Sequence, residues 1–368
     1  KYGDARRTQI VPGMDTDFDI EDLIKDEDVF VSVTRRGYIK RTPVTAYRKQ
    51  ARGGKGLIGM TTREEDELEH LFVAGTLNTI LFFSDLGRVY ATKAYDIPEF
   101  DRTAKGQSLM NVLPLAAEEK ITATLPVHDF GDGKYLIMIT RKGRIKRVAL
   151  EQFANVRPSG LIAVNLEPGD SLGWVKMTRG HEDIILISQQ GKGVRFSEET
   201  VRPMGRAAAG VNAMRLNSWD LLAGADVATA DDDLLVITQK GIGKRTPLSE
   251  YRQQGRNNQG IKVMNLLPER TGAIVAARVV SPRDEVTLIS TGGIILRMPA
   301  AHISRQGRAS AGVRVMDLRE GDAVANVAVI REARLMAAEA GVELDAPAPA
   351  EVIDAEIVEM IEEAEGHL

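Results

Sequence analysis

The sequence predicts an all-β ring of six four-stranded blades, and three observations predict it. Six times a short apolar run meets a polar turn that ends in glycine, at Gly37, Gly87, Gly143, Gly191, Gly241 and Gly293. A second glycine follows each first one, at Gly56, Gly106, Gly160, Gly210, Gly260 and Gly312, 19 residues on in five copies and 17 in the third. The units repeat at intervals of 50, 56, 48, 50 and 52 residues, which is room for four short strands each. Self-similarity at that period reads as propeller-like blades, and closing them into a ring removes the sheet edges an open array would expose.

Each unit carries the same order of elements. The first strand is apolar on both faces, as in Ile184–Ile187 and Leu234–Ile237, which suits a strand packed between two neighbouring sheets. The glycine turn then makes a hairpin. After the second glycine an alternating strand is expected, with Ile261, Val263, Met264 and Leu266 in the fifth copy and Val313, Val315, Met316 and Leu318 in the sixth. A fourth apolar stretch closes the unit, as in Ile274–Ala277 and Ala325–Val329. The blades expected on this basis span about 29–78, 79–133, 134–182, 183–232, 233–284 and 285–330.

Charge is divided as sharply as structure. Residues 1–28 carry a net −5 and read as an acidic linker, residues 331–368 carry −9, and the body between carries +10. A basic body with acidic ends fits a polyanionic partner. The tail contains a Pro/Ala linker and then a stretch in which Ile353, Ile357, Met360, Ile361 and Ala364 share one helical face. Its carboxylates are expected to compete with the polyanion for the basic surface. The absence of cysteine fits a reducing cytoplasm, no apolar run approaches a membrane span, and the missing initiator Met marks an expected piece of a longer protein.

The basic residues keep the ruler of the repeat. Four residues after the first glycine stand Arg41, Arg147, Arg195, Arg245 and Arg297, with Ala91 breaking the series in the second copy. Four residues before the second glycine stand Arg52, Arg102, Arg206, Arg256 and Arg308, while the third copy has Val156 beside Arg157. Lys40, Lys105, Lys146 and Lys244 fall next to or near these positions. Equivalent positions in a ring lie on one rim, so a belt of positive charge is expected. The competing reading pairs each arginine with a local carboxylate. Guanidinium forks suit phosphates, and no aromatics are interleaved for base stacking, so duplex DNA held by its backbone is the expected ligand, with weak sequence readout.

The stretch QARGGKG at 50–56 decides the nucleotide alternative. A P-loop needs a glycine where Lys49 stands and a Ser or Thr where Gly56 stands. With its flank VTRRGYIKRTPVTAYRKQ at 33–50 and YGDARRTQIV at 2–11, it instead resembles the C-terminal DNA-wrapping domain of bacterial DNA gyrase A. The heptapeptide is similar to that family's box, with Ala51 in place of an arginine. The resemblance implies a six-bladed β-pinwheel with strands exchanged between blades, and positive wrapping of DNA around its outer edge. It implies that Gln50, Arg52, Gly53, Gly54, Lys55 and Gly56 grip DNA and bridge the first and last blades. It further implies a non-catalytic, monomeric domain without its own cofactor. ATP and Mg would act elsewhere in a cytoplasmic, nucleoid-associated heterotetramer with the N-terminal region of gyrase A and with gyrase B.

Other readings fit less of the chain. An enzyme in its own right lacks support: the five histidines are scattered, no nucleophile elbow occurs, and Asp129-Phe130-Gly131 reads as a turn. A protein-binding propeller scaffold leaves the phased arginines unexplained. The related domain of topoisomerase IV usually lacks an intact box.

Overall fold

The computed structural model describes residues 20–331 except 35, 44–67, 102–103, 132, 229–230 and 293. The heptapeptide 50–56, Arg102, most of the N-terminal acidic segment and the acidic tail beyond Arg331 therefore lie outside the described residues. Within them are five four-stranded antiparallel sheets and one three-stranded sheet. In the third blade the order from inside to outside is Leu172–Thr178, Tyr135–Thr140, Arg144–Ala149 and Val211–Asn212. The inner strands pack in succession, Leu68–Gly75 on Ile121–Val127 and onward through Leu172–Thr178, Leu222–Ala228, Ile274–Val280 and Val324–Ile330.

The two-faced apolar strands explain this arrangement. In Thr79–Ser84, Ile80 and Phe82 pack with Val29, Val31 and Ile39 of the first unit, whereas Leu81 and Phe83 pack with Leu136 and Met138 of the third. The same division recurs later: Ile184 and Leu186 face Ile137 and Ile139, while Ile185 and Ile187 face Leu234 and Val236. Side chains alternate across a strand, so one apolar run feeds two inter-blade cores. Each such fully buried side chain contributes about 1.5–3 kcal/mol. The cores thus lie between blades.

Sequence unit and blade do not coincide. Among the described residues, the strand after the second glycine joins the hairpin of the preceding unit in units two to six: Gln107–Ser108 pairs with Tyr38–Ile39, Val211–Asn212 with Arg144–Ile145, and Ile261–Lys262 with Lys192–Gly193. These outer strands are two residues long, shorter than the alternating strand expected from Ile261 to Leu266. The chain leaves the sheet because Val263 N–H donates to the carbonyl of Gly191 at 2.8 Å, and Ala213 N–H likewise to Gly143 at 2.9 Å. Val263 and Met264 are buried, but in a core rather than in a ladder. The sixth sheet has three strands among the described residues, and the first unit's segment after Gly56 lies outside them.

The exchange is tight at the second glycine. Gly210 has φ +80°, and a Cβ there would stand 2.4 Å from the carbonyl oxygen of Ile145. Gly37, at φ +76° in an open hairpin turn, has nothing within 4 Å of the same position. Gly37→Ala should cost only left-handed strain, about 1–2 kcal/mol. Gly210→Ala adds a backbone clash and should cost more than about 3 kcal/mol. Urea midpoints of the two variants measure the difference.

Candidate nucleic-acid interface

The two phased arginine series go to different places. Position four after the hairpin glycine falls on the third strand of the blade, where the next unit's loop covers it. Arg41, Arg147, Arg195 and Arg245 each bridge in parallel to that loop, at Glu99, Pro203, Gln253 and Arg305. Their cations are spent internally. Arg195 Nε donates to Asp183 Oδ2 at 2.8 Å, and Arg245 Nη1 to Asp233 Oδ2 at 2.6 Å. Arg41 lies 3.4 Å from Glu99. Arg147 lies over the Tyr135 ring and donates to the Gly180 carbonyl at 3.0 Å. Arg297 pairs with Glu285, 2.6 Å through Nε, but its side chain stays 54% exposed.

Three of the lysines expected on the rim are inside as well. Lys40, Lys146 and Lys244 are no more than 1% exposed, and their ammonium groups donate to main-chain carbonyls. Burial pushes Lys146 and Lys244 down to about 8. The expected belt therefore loses Lys40, Arg41, Lys146, Arg147, Arg195, Lys244 and Arg245, because recurring positions on the third strand of a blade lie beneath the next unit's loop. The local-carboxylate reading holds for Arg195 and Arg245, which pair with an acid of their own hairpin. A sequence signal for it exists: an acid stands 12 residues before the arginine in copies four to six, at Asp183, Asp233 and Glu285.

The second series stays at the outer edge. Arg206, Arg256 and Arg308 are half-buried in the loops that lead to the outer strands. Arg256 Nε donates to the Thr200 carbonyl and Nη1 to the Asn212 carbonyl, both at 3.1 Å. Arg308 Nη1 donates to the Lys262 carbonyl at 2.7 Å. Each of these two reaches back to the outer strand of the blade before it, which holds the guanidinium in place while leaving other N–H groups for a ligand. Lys105 stands 3.6 Å above the Tyr38 ring. Exposed Arg157, Arg202, Arg252, Lys262 and Arg314 share these loops and outer strands. The last four were not singled out from the sequence, although they keep its ruler: Arg202 and Arg252 stand eight residues before the second glycine, Lys262 and Arg314 two after.

Beneath Arg147 lies a pair of carboxyls. Glu198 is fully buried and accepts from Thr178 Oγ1 at 2.7 Å, Gly180 N–H at 3.0 Å and Glu182 N–H at 2.9 Å. Burial first, and the Glu182 carboxyl second, push Glu198 up to about 7. Among the described residues no group of three or more His, Cys, Asp or Glu is placed to hold a metal ion, and no helix is long and apolar enough to cross a membrane.

Comparison with known proteins adds an independent line. The family model described as DNA gyrase C-terminal domain, beta-propeller, matches residues 28–74, 78–128, 134–176, 182–229, 232–281 and 284–331. The chain is 51% identical over 328 residues to DNA gyrase A of Halalkalibacterium halodurans, covering 89% of this chain and 39% of that protein. It is 40% identical over 332 residues to DNA gyrase A of Salmonella typhimurium, covering 90% and 38%. Thus it spans well under half the length of these relatives. Among solved structures, the C-terminal domain of DNA topoisomerase IV is similar with a TM-score of 0.75 at 26% identity, covering 86% of this chain and 99% of that one. The DNA gyrase A C-terminal domain is similar with a TM-score of 0.66 at 27% identity, covering 82% and 99%.

Two outcomes are expected from the buried charges. Asp233→Ala strands the buried Arg245 and should cost about 3–5 kcal/mol, whereas Glu285→Ala, beside the exposed Arg297, should cost no more than about 1 kcal/mol. Chemical denaturation of each variant measures the contrast. At Glu198 the folded chain keeps a proton that the unfolded chain releases above its ordinary value of 4.5. Its contribution is therefore full below 4.5 and lost as pH rises through about 7. Glu198→Gln should flatten that dependence and raise the melting temperature on the alkaline side, read by melting at about pH 5 and about pH 8.

Proposed function

The chain belongs to the DNA gyrase C-terminal domain family, and from that premise we propose that it binds duplex DNA along the outer edge of its blades and bends it around them in the positive sense. The observation that carries this reading is the set of half-exposed edge arginines, Arg206, Arg256 and Arg308, recurring blade after blade. Duplex DNA has a persistence length of about 150 base pairs, so bending it around one domain costs several kcal/mol. A repeated contact spreads that cost over many phosphates; a single patch does not. Backbone contacts carry no base readout, so the binding is sequence-independent.

Each edge cation has a distinct part. Arg256 and Arg308 have spent two and one of their N–H groups on neighbouring carbonyls. Little side-chain entropy is left to lose when the remaining N–H groups meet phosphate. Arg157, Arg202, Arg252, Lys262 and Arg314 add charge on the same edge, and Arg297 joins them on the sixth blade. The buried cations raise no phosphate contact of their own. We assign Gln50, Arg52, Gly53, Gly54, Lys55 and Gly56, with Arg102, to the same surface by their place in the repeat.

The heptapeptide also has a structural part in this reading. In five units the residues after the second glycine complete the preceding blade. By the same rule Leu57-Ile58 would complete the sixth blade at Ile294–Ile295 and bring the box to the junction of last and first blades. The domain does no chemistry itself. It presents a wrapped DNA segment to the ATP-driven cleavage machinery of a cytoplasmic gyrase, which converts the wrap into negative supercoils. The topoisomerase IV reading is weaker, since identity to a DNA gyrase A reaches 51% and the box is nearly intact.

Ligation of nicked plasmid in the presence of the chain tests this. Positive linking differences are expected, and an unchanged topology would overturn wrapping. The Arg52→Ala/Lys55→Ala double variant should lose more linking difference than affinity; equal losses would remove the special role of the box. Affinity should fall steeply with salt, by about 0.9 in log–log slope for each phosphate neutralised.

A further inference from the structure

We propose that Lys40, Lys146 and Lys244 are positioning residues for the DNA-binding edge, each setting the backbone of the next unit's edge loop and so the aim of the arginine that the loop carries. The proposal rests on the reading of the outer edge as the DNA surface. Its grounds are where the three ammonium groups point. Lys146 Nζ donates to the Ala163 carbonyl at 2.6 Å and to the carbonyl of Arg206 itself. Lys244 Nζ donates to the carbonyls of Gly307 at 2.8 Å and Arg308 at 2.7 Å. Lys40 Nζ donates to Asp101 at 3.1 Å and Ala104 at 2.9 Å, the residues that bracket position 102. Lys146 and Lys244 thus hold the main chain at the edge arginine of the following unit, and Lys40 holds it at Asp101 and Ala104.

The lysines follow their own rule within the repeat. They stand three residues after the hairpin glycine in the first, third and fifth copies, where the second, fourth and sixth have Tyr90, Val194 and Leu296. Lysine-held edge loops therefore alternate with loops held by other means. The loop of Arg256 is such a loop. There Asn257 N–H donates to the Ala213 carbonyl at 2.6 Å, and Asn257 takes a φ of 62°, the one positive value outside glycine among the described residues. An ammonium group offers three donors, and the carbonyls it holds would be costly to leave buried without a partner. With no more than 1% of its surface exposed, none of the three lysines can reach a phosphate while these bonds stand. For Lys146 and Lys244 the part in binding is exerted through Arg206 and Arg308.

A double-mutant cycle on the whole chain, read together with amide hydrogen exchange without DNA, tests the proposal. Arg206→Ala removes the guanidinium but keeps the carbonyl that Lys146 holds. Lys146→Gln should speed exchange across residues 202–209 at least about tenfold, the size expected for a lost charged hydrogen bond, and leave 252–259 unchanged. It should weaken duplex binding, and the Lys146→Gln/Arg206→Ala double variant should bind no more weakly than Arg206→Ala alone. Combined with Arg256→Ala, the Lys146→Gln loss should add in full. Unchanged exchange at 202–209, or additive losses with Arg206→Ala, would overturn the proposal. If melting shows that Lys146→Gln does not fold, Lys244→Gln with Arg308→Ala repeats the cycle at the sixth unit. Faster loop exchange combined with unaltered duplex binding in both arginine variants would overturn the DNA-edge reading and the positioning role with it, leaving the lysines as props of the fold.

Discussion

The structure depends on one handover: in five blades the outer strand is donated by the next unit along the chain. The donated piece is two residues long, so its ladder alone is weak. What secures it is the close approach at the second glycine, whose missing side chain lets it rest against the preceding blade. A Cβ at Gly260 would meet the Gly193 carbonyl oxygen at 2.4 Å. Hairpin-turn carbonyls, such as Gly143 and Gly241, then accept two N–H groups each from the donated segment. Neighbouring blades are thereby joined by main chain at the outside and by apolar cores between their faces.

That handover also sorts the charges. The donated segment arrives through a loop lying over the third strand of the blade it joins, so basic residues on that strand are roofed. Covering a cation demands partners, and the chain supplies them from both sides: Asp233 binds Arg245 of its own hairpin and Arg305 of the covering loop. Asp183 does the same with Arg195 and Gln253. Other basic residues on the loop, such as Arg202 and Arg252, are exposed. One repeat thus carries two sets of cations with different work, an inner set that binds the loop down and an outer set that the loop displays.

Much of the fold was legible in the sequence because hairpins and two-faced strands are local patterns. Spacing of the paired glycines, the apolar runs such as Leu234–Ile237 and the six-fold count needed no knowledge of neighbours. The edge arginines Arg206, Arg256 and Arg308 were legible for the same reason, since a polar glycine-rich loop lies at the surface whatever it packs on. Lys146 and Arg245 were not. Their period is as regular as that of the edge set, and periodicity tells which residues are equivalent without telling which way they face. The acids at Asp183 and Asp233 offered a hint, but their pairing spans a hairpin and needs its register.

By itself, then, the sequence determined the repeat, the strands within it and the family to which the chain belongs, because those follow from short-range patterning and likeness to relatives. Only the tertiary structure decided which unit completes which blade and which cations remain on the surface. Both outcomes turn on one unit lying over another, and no stretch of fifty residues contains the neighbour that covers it.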